Sequence, residues 1–120
     1  MATPNIINVA TITPKIVVGA ITTSRAVVVQ TSAEHVAKIN TVMIANIDGS
    51  NAADVTAEIS VDAGSNYVKI ANTISVPADS TLVLIGKDNG FYLDETDRLA
   101  LTASANSDLT YMVSYEEMAD

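Results

Sequence analysis

Strict alternation is the feature that most constrains this chain. In DVTAEISVD (54–62), Val55, Ala57, Ile59 and Val61 share one parity, while Thr56, Glu58, Ser60 and Asp62 take the other. Successive side chains of an extended strand point to opposite faces, so the segment predicts a strand with one buried and one wet face. DGSN just upstream and AGSN (63–66) just downstream supply turn chemistry, the latter reading as a hairpin.

The same period runs through most of the chain. Val68, Ile70, Ile74 and Val76 share a parity that Asn72 interrupts, and Pro77 and Asp79-Ser80 then end the run. TLVLIGK (81–87) is apolar on both faces and reads as a central strand, and KDNG (87–90) reads as a turn. FYLDETDRLALTAS (91–104) reads as a short strand, an acidic turn at Asp94–Asp97 and a second strand with Leu99 and Leu101 inward. SANSD (104–108) turns the chain into LTYMVSYEE (109–117), with Leu109, Tyr111, Val113 and Tyr115 on one face. Upstream, VAKINTVMIANI (36–47) is long and mostly apolar. The first third reads as three shorter strands, IINVATI (6–12), KIVVGAIT (15–22) and RAVVVQT (25–31).

Val, Ile, Thr, Ser and Asn dominate, and no segment carries a helical pattern. About eight or nine strands with turns at this spacing predict an all-β fold, an antiparallel, jelly-roll-like β-sandwich. The expected core is Val55, Ile59, Val61, Val68, Ile70, Leu82, Leu84, Leu99, Leu101 and Val113. The organisation is a single domain, with residues 1–35 as N-terminal strands and residues 36–120 as the sandwich core.

Composition narrows the function. The net charge of −8 repels phosphate backbones, so no nucleic-acid partner is expected. The charge is uneven. Residues 1–47 hold three basic side chains against one acidic, +2, and residues 48–120 hold three against thirteen, −10. MATPNIINVATITP lacks the basic and apolar regions of a secretory signal, and no apolar run nears the roughly 20 residues a bilayer span needs. No membrane partner is expected.

Side chains able to do chemistry are few. Cysteine and tryptophan are absent, and His35 is the single histidine, with no H-E-x-x-H spacing and no G-x-S-x-G elbow. Asp48, Ser50, Asn51 and Asp54 offer oxygens, but the glycine and terminal glutamate of an EF-hand loop are missing. Asp94, Glu95 and Asp97 read as a solvated turn. The pairs Glu58/Asp62 and Glu116/Glu117 have no stacking wall beside them to make a glycosidase cleft. Tyr111 and Tyr115 read as core rather than a carbohydrate-binding face. No catalytic residue, metal site or cofactor is expected.

Four segments in order, NIDGS (46–50), VPADSTLVL (76–84), FYLDETDRLALTASA (91–105) and SYEE (114–117), resemble small β-sandwich virion structural proteins of tailed bacteriophages. The similarity is strongest to those of contractile-tailed phages infecting cyanobacteria and covers about residues 40–117. It implies a protein made in the host cytoplasm and carried in the virion. Its partners would be other virion proteins, either the major capsid protein or tail and neck proteins, together with copies of itself. Capsid decoration is the role expected first, a tail, neck or fibre-attachment component second, and a glycan-binding module third.

The N-terminal third is the expected interface. Residues 1–33 hold only Lys15 and Arg25 as charged side chains, yet carry Ile6, Ile7, Val9, Ile16, Val17, Val18, Val27, Val28 and Val29. Exposed strands normally guard their edges with charge. A segment without that guard is expected to be covered by a neighbouring subunit, or by its own sandwich.

Overall fold

A computed structural model describes residues 9–120. It contains nine strands: β1 (Thr11–Ile21), β2 (Ala26–Gln30), β3 (His35–Asn46), β4 (Ala53–Ser60), β5 (Val68–Val76), β6 (Thr81–Ile85), β7 (Phe91–Leu93), β8 (Arg98–Ala103) and β9 (Leu109–Ala119). A single 3-10 turn at Lys87–Asn89 sits between β6 and β7.

The strands form two antiparallel sheets. The first has the order β1-β9-β3-β6, with β7 also paired to β3, and the second has β2-β8-β4-β5. The pairings nest around the β4–β5 hairpin: β3 returns to β6, β2 to β8, and β1 to β9. A long hairpin wound on itself in this way is a jelly roll. It confirms the sandwich that the alternation predicts.

Between the sheets lies one core. Ile21, Val29, Ile39, Val42, Ile44, Val55, Leu93, Leu99, Leu101, Leu109 and Val113 are all buried in it. In β3 the inward parity changes from Ala37 and Ile39 to Val42 and Ile44, and a register shift between Ile39 and Thr41 accommodates this. The bulge lets both halves of a twelve-residue strand face inward. Gly90 passes against it so closely that a Cβ there would lie 2.5 Å from the Ile39 carbonyl oxygen. Only glycine fits.

Several sequence expectations are corrected by burial. Val61, Val68 and Ile70 are exposed, at 73%, 66% and 44%. Val61 lies beyond the end of β4, and Val68 and Ile70 lie on β5, which ends its sheet and has a neighbour on one side only. Register shifts on both sides of Ala57 also break the parity of β5. Ile59, Leu82 and Leu84 pack against the core from its rim. TLVLI is a sheet-edge strand rather than a central one. KIVVGAIT joins the end of IINVATI in one strand, β1, that runs through Pro14. Proline is tolerated there because an edge strand has one ladder to satisfy, not two.

Candidate protein interface

Catalytic candidates are engaged in structural work. The His35 Nδ1 lies 2.7 Å from the Ala33 carbonyl oxygen, so this ring nitrogen is tied to the backbone rather than to a carboxylate. Asp48 Oδ1 accepts from the Ser50 and Asn51 amides at 2.8 and 3.3 Å, and these bonds hold its carboxyl below the usual aspartate range. Asp62 accepts from the Asn66 amide and side chain, both at 2.9 Å, and is lowered for the same reason. Asp97 closes the acidic turn by accepting from the Asp94 amide at 2.9 Å, while burial raises its carboxyl. Glu95 accepts from the Glu34 amide at 2.8 Å.

The paired carboxylates are separated in the same way. Glu58 is buried and held by both nitrogens of an Arg25 fork at 2.9 and 3.1 Å, and the Arg25 guanidinium lies 4.2 Å from the Tyr67 ring centre. Glu117 pairs with Lys15 at 2.8 Å, which raises the lysine, and Glu116 accepts from Asn40 at 3.3 Å. Among the described residues, no three His, Cys, Asp or Glu side chains are grouped to hold a metal ion. Tyr111 and Tyr115 are partly buried and pack on the core. Tyr111 lies across Gly19, where a Cβ would meet its hydroxyl at 3.0 Å.

What remains is surface, and the two sheets present different ones. On the outer face of the second sheet, Val27, Ala100, Glu58 and Lys69 lie in register across four strands, and Glu58 there is ion-paired with Arg25. On the first sheet, Val18, Met112, Met43 and Val83 stand side by side across β1, β9, β3 and β6. Val18 is 67% and Val83 56% exposed. The row on one side is Ala20, Thr110, Ala45 and Thr81, and on the other Ile16, Ser114 and Thr41. No charged side chain occurs in these rows. Val18, Met43, Ala45 and Met112 line a shallow open depression of about 460 Å³. Lys38, Lys87 and Glu116 stand beyond it at one end.

The candidate interface residues divide accordingly. Ile16 and Val18 are exposed on this face, and Val27 is exposed on the other sheet. Val17 and Val28 pack on the core, and Val29 is buried in it at 3%. Buried Val29 meets the core of its own sandwich and cannot touch a neighbour. Val9 is half-buried, and Ile6 and Ile7 lie outside the described residues. The contributions of Met43, Val83 and Met112 are not legible in the sequence. Met43 and Met112 sit on the polar-looking parity of otherwise inward-reading strands, and only the strand order brings them together.

Fold and surface define a class: a jelly-roll sandwich with one ion-paired face and one uncharged apolar face. No protein-family model and no curated protein matches the sequence. The fold is shared with a solved structure from Bacillus endospore appendages, described as a novel family of disulfide-linked pili. The TM-score is 0.55 at 12% identity, over 91% of this chain and 87% of that one.

Proposed function

We propose that this chain is a non-enzymatic structural protein of a tailed-phage particle, a capsid decoration or cement subunit that docks through the outer face of its first sheet. The observation that carries this reading is the uncharged row Val18–Met112–Met43–Val83, four strands wide and open to solvent. A contiguous exposed apolar surface is the usual mark of an interaction site. Jelly rolls serve capsids and lectins alike, so the fold by itself does not choose between these roles. The resemblance of residues 40–117 to phage virion proteins favours the particle.

The mechanism is burial. A standard interface removes about 1,600 Å² of surface from water. Repetition over a lattice then turns a modest contact into a tight one. Without cysteine the contact is not a disulfide. A second reading, as a tail, neck or fibre-attachment component, draws on the fold shared with subunits of pili.

Cryo-electron microscopy of intact particles tests both. Density over every capsid lattice point supports decoration, a single ring or fibre supports the second reading, and absence from the particle overturns both. Met43→Lys with Val83→Lys should abolish particle binding while leaving the melting temperature unchanged. Full binding by that variant would remove the outer face from the mechanism.

A further inference from the structure

An open sheet edge presents unpaired N–H and C=O groups that recruit another strand, and folded proteins guard such edges with short length, charge, proline or bulges. Most edges of this sandwich are guarded. β2 has five residues and a register shift between Val27 and Val29. β5 is interrupted by two shifts and holds Thr73 at φ 48. β6 has five residues and a shift of its own, and β7 has three residues. β1 is different. It runs eleven residues against β9 with no register shift. Its charged side chain, Lys15, is tied to Glu117, and Pro14 guards its N-terminal half alone. From Ile16 to Ile21 the edge is unguarded among the described residues.

We propose that this edge pairs with β1 of a second copy of the chain, antiparallel about a two-fold axis, and joins the two first sheets into one. Pairing centred on Val18 sets it opposite the partner's Val18 and sets Ile16 opposite the partner's Ala20. The outer-face side chains that meet are therefore apolar or small. Pro14 would fall opposite the partner's Thr22, which is past the end of β1, so the missing N–H lies outside the paired stretch.

Charge favours this contact over others between copies. A chain of net charge −8 repels itself, yet the Ile16–Ile21 edge carries no carboxylate. The pairing also continues the apolar row through both copies, from one Val83 to the other. Head-to-tail pairing of β1 with β5 of a neighbour would run on as an open filament, but the two shifts in β5 break the edge it would need.

The inference stands on edge geometry and is independent of the particle role. Val18 belongs to both surfaces, so the particle role is read from particle binding by Met43 and Val83 variants, and the dimer from the oligomeric state of Val18 variants. Sedimentation equilibrium of the full chain should show a dimer. Val18→Pro should weaken it by about tenfold or more with an unchanged circular dichroism spectrum, because Val18 shares the parity of Pro14, where β1 already dispenses with an N–H. Val18→Lys places like charges opposite each other and should do the same. It decides the matter if the proline variant loses its fold. A wild-type monomer at high concentration, a dimer that survives Val18→Lys, or a species that grows past the dimer would each overturn the proposal.

Discussion

Leu101 and Val61 look alike in the sequence, as apolar residues on the inward parity of alternating strands. Leu101 is 1% exposed and Val61 73%. Leu101→Ala should therefore cost about 2–5 kcal/mol in urea unfolding, while Val61→Ala and Val68→Ala should stay within about 0.5 kcal/mol. The two aspartates with opposite shifts give a second residue-scale expectation. Asp62 lies below its ordinary 3.8 because the folded state binds its charged form. Its stabilisation is thus present above pH 3.8 and lost as the pH falls through the lower folded value. Asp97 lies above 3.8 because burial disfavours its charge. Its ionised form costs stability at neutral pH, and that cost is relieved as the pH falls through the raised value. Asp62→Asn should lower the melting temperature more at pH 7 than at pH 3, since it removes the charged carboxylate that accepts from Asn66 and whose contribution declines in acid. Asp97→Asn keeps an oxygen for the Asp94 amide and should be tolerated better at pH 7 than at pH 3. Thermal melts at the two pH values check both signs.

At the scale of elements, β1 and β2 belong to different sheets and contribute Ile21 and Val29 to the shared core. β1 covers β9 over its whole length, from Thr11 opposite Ala119 to Ile21 opposite Leu109. Removing residues 1–33 would strip one edge strand from each sheet and leave the β8 and β9 ladders open. The truncated chain should lose its cooperative thermal transition. A sharp melt from residues 34–120 would show that those residues fold as a sandwich of their own.

For the whole molecule, the nested topology sets the kinetics. Pairing Thr11 with Ala119 spans nearly the full chain, and such distant contacts must close loops before they stabilise anything. Refolding measured by stopped flow should accordingly fall in the millisecond-to-second range of β-sandwiches, not the microsecond range of helical bundles. Stability should also be indifferent to chelation. The Asp48 and Asp97 carboxylates are already engaged by backbone amides, so EDTA should leave the melting temperature in place. A drop of several degrees would reveal a bound cation.

Strand identity was determined by the sequence alone, because the period-two pattern and the turn residues act over a few positions. Val55 and Ala57, Leu99 and Leu101, and the turns at KDNG and SANSD could be read directly. Which strands end a sheet was decided by tertiary structure. Val68 and Ile70 carry the same apolar signal as core residues, but burial depends on whether a neighbour covers the strand, and neighbours come from distant parts of the chain. The bulges at Asn40 and along β5 reverse parity for the same reason, since each adjusts one strand to another's register. The apolar face is tertiary too. Val18, Met43, Val83 and Met112 lie far apart along the chain, and only the jelly-roll order sets them in one row.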